Sequence, residues 1–504
     1  MPSQRVSRAR TFWLAVFAGI ALPLALAPFD VWPLSLVSAA VLFRVLDDAR
    51  PTRAAFLGWG FGVGKYGVGA SWIYVSIHEY GPAPVWLAGS LVALFVAAMA
   101  LFPAVFTYAY VRWLRGPNRY LNAVAFSAAW VALEWTLTWF LTGFPWLYLG
   151  YAHLADPLRH WAPVGGVLTV SFVTALSATI AVAGITRNAT PRRVAIGVAI
   201  AAVPWIIGAG LGSVRWVTPG DGGTVALVQG DIPQESKWRP ETVEPILDRY
   251  RTLTAPYWKN DLVIWPEASI TLFEREAAPF IEEMARNANA TGAALVFGVP
   301  GYELLPNGDP IFRNMAAVVG NGSGHYVKRR LVPFGEYVPL EGLLRGLIEF
   351  FDLPMSHAGS GPMRQALLQA GRWRLATAIC YEIVYGDMVR NDARDADVIV
   401  TISNDTWFGH SIGPLQHLQM AQMRALENGR YVLRATNNGV TAIIDADGAI
   451  TARAPQFEPT VLTGTFSGMR GTTPYSDVGD TPLLCMLAAL IALAAFVRVR
   501  KPAR

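Results

Sequence analysis

Three side chains in the C-terminal half of the sequence carry one kind of chemistry if they meet: the carboxyl of Glu267, the amine of Lys328 and the thiol of Cys380. Glu267 closes the run Asp261-Leu-Val-Ile-Trp-Pro-Glu267, in which the apolar residues read as a buried strand and Pro266, lacking an N–H, stops its pairing. Cys380 closes Arg374-Leu-Ala-Thr-Ala-Ile-Cys380 in the same way, and Lys328 precedes the turn-rich Leu331-Val-Pro-Phe-Gly-Glu336-Tyr-Val-Pro339. The carboxyl edge of an α/β sheet is where such folds hold their reactive groups. A free thiol has a pKa of about 8.5 and stays mostly protonated at neutral pH unless a base takes its proton or a cation steadies the thiolate. A partly desolvated Glu267 could be that base and return the proton to a leaving group. Lys328 could steady the thiolate and a tetrahedral oxyanion, with the backbone N–H of Tyr381 as second donor. The first product would be a thioester on Cys380. Taken singly, each residue also has a plainer reading: the thiol as a small buried hydrophobe, the carboxylate as a cap, the lysine as a solvated charge beside a turn. Spacing alone leaves both readings open.

Other chemistries find less support. Cys380 and Cys485 are the only cysteines, so neither a disulfide framework nor a CxxC metal site is possible. The histidines are scattered, and His410 and His417 suit hydrogen bonding better than metal ligation. With no Gly-rich phosphate loop and no internal repeat, no metal and no cofactor are expected.

The elements that would carry these residues alternate in type. Candidate strands lie at 224–229, 261–265, 293–298, 314–319, 373–379, 396–403, 431–435 and 441–445, with helices at 241–253, 277–290 and 415–428. Buried strands flanked by helices predict an α/β layered sandwich.

Before that region the texture differs. The 504 residues are 53% hydrophobic and 15% charged, with a mean hydropathy of +0.34, which excludes an ordinary soluble enzyme and a disordered chain. Apolar stretches near 11–28, 54–77, 84–111, 121–142, 162–186, 193–212 and 480–497, with a shorter one at 32–46, predict eight membrane spans. The first follows Arg5, Arg8 and Arg10 and resembles a signal peptide, but Pro28 would follow the cut and further spans come next, so it reads as a retained anchor. Basic residues cluster in alternate loops: Arg44, Arg50 and Arg53; Arg112, Arg115 and Arg119; Arg187, Arg192 and Arg193; Arg498, Arg500, Lys501 and Arg504. Such loops face the cytoplasm. The net charge of +5 is thus topological and does not signal nucleic-acid binding. Both termini are expected inside, with 1–215 holding seven spans, 216–474 forming an outer catalytic domain and 475–504 holding the eighth span and a tail. Lys65 and Glu134 fall inside spans. They fit either snorkelling, pairing or an interfacial position, or a role in substrate handling.

The segments WPEAS, YVKRRLVPFGEYVPL, ICYEI and SNDTWFG, in this order, resemble the nitrilase superfamily of carbon–nitrogen hydrolases. With QGDIPQESKW, TGFPWLYLGY and GPLQHLQMAQMRALENGRYVLRATNNG the chain is similar, over essentially its whole length, to the membrane branch, the bacterial apolipoprotein N-acyltransferases. That resemblance implies a nitrilase-like αββα sandwich inserted in an eight-helix transmembrane bundle, in the bacterial inner membrane with its catalytic domain periplasmic. It implies a Glu267, Lys328, Cys380 triad, with Trp238, Glu336, Tyr381 and Glu382 at positions that line or support the site. It further implies a donor phospholipid, typically phosphatidylethanolamine, and a diacylglyceryl-cysteine apolipoprotein as acceptor. The apolar stretch 343–355 is expected to be a mobile arm touching lipid, with a buried amphipathic helix as the other reading. A membrane-tethered amidase with water as acceptor keeps the same triad, whereas a transporter or receptor would not need Cys380.

Overall fold

Period-two apolar patterning builds the sheets of the unit formed by Trp216–His410 and Met420–Asp477. This computed structural model describes residues 2–81, 83–185, 190–304, 308, 310–337 and 358–500. The strands are β1 Thr218–Gln229, β2 Leu262–Ile264, β3 Ala294–Leu304, β4 Pro310–Gly320, β5 Gly322–Ser323, β6 His325–Val327, β7 Leu368–Ala370, β8 Trp373–Ile379, β9 Val398–Ser403, β10 Val432–Thr436, β11 Ala442–Ile444, β12 Ile450–Arg453 and β13 Thr460–Arg470. One sheet has the order β13-β1-β2-β3-β4-β6 and the other β12-β11-β10-β9-β8-β7-β5. In each sheet three strands run parallel, β1-β2-β3 and β8-β9-β10, and antiparallel strands complete the edges.

Side chains alternate between two cores. Val225, Leu227, Leu262 and Ile264 point toward the other sheet and meet Leu375, Ile379, Val398, Val400 and Ile402. The intervening Ala226, Val228 and Val263 face outward onto helices Val243–Thr254 and Ala278–Thr291 through Ile246, Leu247, Phe280 and Met284. The second of these helices carries Pro279 in its first turn and ends where Gly292 turns left-handed at φ 81°. On the second sheet, helix Gly386–Ala393 packs beside β8 and buries Met388, Val389 and Ala393. The αββα sandwich expected from the sequence is therefore present. The expected strand at 314–319 is the middle of the longer β4, which pairs with β3 along its whole length. Strand β13 was not anticipated.

The unit formed by Met1–Arg215, Ser411–Gln419 and Val478–Arg504 is helical. Among the described residues, four of its helical stretches are long and apolar enough to cross a membrane: Val85–Leu114, Pro157–Ala183, Pro191–Leu211 and Thr481–Val499. The other expected spans are helical over Pro2–Leu24, Pro33–Val45, Pro51–Gly69 and Arg119–Thr136 without meeting that combined length and hydropathy. Helices Pro2–Leu24 and Pro51–Gly69 approach so closely that a Cβ on Gly64 would lie 2.3 Å from the Val16 carbonyl oxygen, which explains the glycine spacing. Lys65 and Glu134 are both buried within this unit, so the lysine does not snorkel and the glutamate is not at a solvent boundary. Glu134 Oε1 accepts from Trp130 Nε1 and from the Leu149 backbone N–H, each at 2.9 Å, and so tethers the loop carrying TGFPWLYLGY. The stretch 343–355, the end of the YVKRRLVPFGEYVPL motif, and Arg187, Lys501 and Arg504 lie outside the described residues.

Candidate active site

Where β2 ends, Trp265 makes one more ladder bond, from its N–H to the Val296 carbonyl at 2.8 Å, before Pro266 stops the pairing. Glu267 follows, and Ala268 turns back with φ 47°, a left-handed conformation unusual for a residue bearing a Cβ. On the neighbouring strand Gly298 makes room for this turn. A Cβ there would sit 2.5 Å from the Ala268 nitrogen and 2.7 Å from the Glu267 Cα. The turn buries Glu267 and brings four donors to the residue, three of them to its carboxylate. Oε1 accepts from Asn314 Nδ2 at 2.8 Å and Lys328 Nζ at 3.2 Å, and Oε2 accepts from the Asn404 backbone N–H at 2.8 Å. The fourth, Lys237 Nζ, reaches the main-chain carbonyl of Glu267 at 3.3 Å instead.

Lys328 extends the pairing of β6 by one residue, its N–H bonding the Asn314 carbonyl at 2.8 Å. Its side chain is 1% exposed and lies between two carboxylates, Glu267 at 3.2 Å and Glu336 Oε1 at 2.8 Å. Glu336 is fixed in turn by the Val332 N–H, which donates to its Oε2 at 2.8 Å. Burial alone would lower the Lys328 amine, but the charges of Glu267 and Glu336 outweigh it and hold the ammonium well above the ordinary lysine range. Burial would likewise raise Glu267, yet Lys328 and the hydrogen bonds from Asn314 and Asn404 keep its carboxyl below the usual value.

Cys380 follows β8 with φ 53° and opens the short helical turn Cys380–Val384. The strained elbow leaves the thiol half-buried at the sheet edge. Burial first, then the Glu267 charge, push this thiol up, with Lys328 pulling it back. The resting pair is therefore thiol and carboxylate. Ser403, at the end of β9, hydrogen-bonds the thiol and also donates to Asp405 Oδ1 at 2.6 Å, while Arg434 pairs with Asp405 Oδ2 at 2.5 Å.

Glu382 ties the two arms of the site together. Its Oε1 accepts from the backbone N–H groups of Arg329 at 2.6 Å and Arg330 at 3.0 Å, just after Lys328. Its Oε2 accepts from the Ile379 N–H at 2.8 Å, just before Cys380, and from the Tyr326 hydroxyl at 2.9 Å. It has no exposed surface, so it supports the site and does not line it. Tyr381 packs edge-on against Tyr385 with ring centres 5.4 Å apart, and its N–H directly follows Cys380. Trp238 is 39% exposed and makes no hydrogen bond to these groups among the described residues.

Glu267, Lys328, Glu336, Cys380 and Glu382 are thus brought together at one edge of the sheets. Asn314, Asn404 and Lys237 were missed. SNDTWFG contains Asn404 and QGDIPQESKW contains Lys237, so the motifs marked the regions without giving these two residues a part. The arrangement can hold a neutral thiol beside an ionised carboxylate and a fixed cation, the components of covalent acyl transfer.

The family model "Apolipoprotein N-acyltransferase N-terminal domain" matches residues 18–180, and "Carbon-nitrogen hydrolase" matches residues 224–475. The apolipoprotein N-acyltransferase of Pseudomonas syringae pv. tomato is 48% identical over 94% of this chain and 94% of its own length. That of Methylococcus capsulatus is 40% identical over 97% and 96%. Among solved structures, Nit3 of Saccharomyces cerevisiae, a member of branch 10 of the nitrilase superfamily, is similar over 50% of this chain and 92% of its own, at 17% identity and a TM-score of 0.37.

Proposed function

The chain belongs to the apolipoprotein N-acyltransferase family, a membrane family of lipoprotein N-acylation, and from that premise we propose that Glu267, Lys328 and Cys380 are its catalytic triad. The observation that carries this reading is the Lys328 ammonium held between Glu267 and Glu336, while Glu382 binds both the Lys328 arm and the Cys380 elbow.

In the first half-reaction Glu267 takes the thiol proton as the sulfur attacks an ester carbonyl of a phospholipid such as phosphatidylethanolamine. A C–S bond forms, and Lys328 with the Tyr381 N–H receives the negative charge on the carbonyl oxygen. Collapse breaks the C–O bond, Glu267 returns the proton to the departing alkoxide, and a lysophospholipid leaves a thioester on Cys380. In the second, the free α-amine of a diacylglyceryl-cysteine apolipoprotein attacks the thioester. Glu267 takes a proton from the nitrogen, the C–S bond breaks, and the proton goes back to sulfur as the amide departs. Because the resting carboxyl is held low and the thiol high, the proton moves only as the new C–S bond withdraws charge from sulfur. Water as acceptor is not favoured, since relatives of this family match nearly the whole chain, the helical region included.

The same reading places residues 1–215 as seven spans and 475–504 as an eighth with its tail, with both termini in the cytoplasm. It sets 216–474 in the periplasm, above the bacterial inner membrane. Trp238, Glu336, Tyr381 and Glu382 serve as lining or supporting residues, Trp238 through its exposed indole.

Incubation of the membrane-embedded protein with phosphatidylethanolamine alone tests the central step. The Cys380 peptide should gain the mass of one acyl chain, removable by hydroxylamine, and Glu267→Gln should suppress that gain with the protein still folded. Cys380 recovered unmodified under conditions of active transfer would refute the thioester.

A further inference from the structure

Glu267 and Glu336 share one ammonium, that of Lys328, which leaves a formal negative charge over in a buried cluster. Buried charges persist when paired and hydrogen-bonded, and an unmatched one is costly. The second cation is Lys237, 1% exposed, whose one hydrogen-bond acceptor among the described residues is the main-chain carbonyl of Glu267. The same segment reaches Glu267 by another route. Gln234 Oε1 accepts from Asn404 Nδ2 at 2.9 Å, and the Asn404 N–H donates to Glu267 Oε2. Segment 230–239 therefore grips both the peptide and the carboxylate of Glu267, next to the left-handed turn at Ala268 that needs holding.

We infer that Lys237 is a positioning residue for Glu267, clamping its peptide and, as the second cation of the cluster, setting the pH at which its carboxylate is available. The inference rests on the reading of Glu267 as the base. Burial pulls the Lys237 amine down to about 8 against the opposing pull of Glu267, so the cation persists at neutral pH and fades in alkali. The titratable groups facing Glu267 are Lys237, Lys328 and Cys380, with Glu336 across Lys328 and Asp405 beyond Cys380. Of the two lysines, Lys237 makes no hydrogen bond to a carboxylate among the described residues, so its removal leaves the Glu267–Lys328–Glu336 chain in place.

The test is the pH profile of kcat/KM for acyl transfer by the full-length protein in lipid nanodiscs. Lys237→Met should move the acidic limb upward by about one pH unit, the effect of losing one nearby opposite charge. Lys237→Gln, which keeps a donor for the carbonyl but no charge, should show the same shift and serves if the Met variant does not fold. Lys237→Arg should restore the limb. A rate lowered equally at every pH, or a limb that stays in place in both uncharged variants, overturns the inference. Glu267→Gln is run alongside: if it keeps the wild-type rate and limb, the base assignment itself fails, an outcome distinct from an unmoved limb in the Lys237 variants.

Discussion

Asn314 is a neutral residue on β4 whose amide donates to Glu267 at 2.8 Å and to Glu336 at 3.3 Å, so it contributes to holding both carboxylates without adding charge. Replacement by Asp turns that donor into a third carboxylate in the same space. A like charge favours the protonated form, so the Glu267 carboxyl, now held below the ordinary range, should rise as a coupled pair with the new acid. The sign follows directly. On the proposed role of Glu267 as base, activity needs its ionised form, so wild type should remain active as the pH falls below the usual carboxylate pKa, and Asn314→Asp should lose activity at a higher pH. A pH–rate profile of the thioester-forming step checks this, and an unchanged acidic limb would remove Asn314 from the electrostatics of the base. Asn314 also shows where sequence reading stops. Glu267 and Cys380 announce themselves because each ends an apolar run at a strand edge. A single asparagine in a β-strand has no such grammar, and its part comes only from the sheet register that sets β4 between β3 and β6.

At the scale of elements, the site depends on two strand-end turns in left-handed conformation, at Ala268 and at Cys380. The first is possible because β3 carries Gly298 opposite it, so Gly298→Ala should drive a methyl group into the Pro266–Ala268 backbone. A main-chain contact of 2.5 Å is relieved only by moving the turn, and a misplacement of about 1 Å at a reacting group costs on the order of 100-fold in rate. The expected result is a kcat loss of that order with circular dichroism unchanged and a modest fall in melting temperature, since β3 pairs with β4 along its length. A variant with wild-type kcat would show that the turn tolerates displacement. The inner strands were legible for a physical reason: buried on both faces, they are short apolar runs cut by Pro266 or by polar residues. Strand β13 was not, because Thr-Val-Leu-Thr-Gly-Thr-Phe-Ser-Gly mixes small and polar residues and its place is set by pairing with β1 and by Phe466 reaching the core. Lys237 escaped for a related cause, since a lysine in a turn reads as solvated until the fold closes over it.

At the scale of the whole molecule, hydropathy and charge say different things. Length and hydropathy together single out four helical stretches, whereas the alternating arginine clusters need eight crossings to place every basic loop on one side. Pro33–Val45 falls short in length, and the other three helices fall short in hydropathy through their polar and glycine residues. Pro51–Gly69 carries Lys65 with Gly58, Gly60, Gly62 and Gly64, and Arg119–Thr136 carries Asn122, Ser127 and Glu134, all of which are buried and so do not meet lipid. A helix shielded by its neighbours can cross a membrane at lower hydropathy than one facing acyl chains. Single cysteines on a Cys380→Ala, Cys485→Ala background separate the two counts. In cells with a permeabilised outer membrane, an impermeant maleimide should label cysteines placed at Glu79 and Asn260. Cysteines at Asp48 and Asn118 should react only after the inner membrane is opened. With Asp48 and Glu79 on opposite sides the helix between them crosses, although it falls outside the four, and Asn118 back with Asp48 makes Val85–Leu114 the return crossing. Labelling of Asp48 and Glu79 from the same side would reduce the number of crossings and reverse the orientation assigned to the catalytic domain.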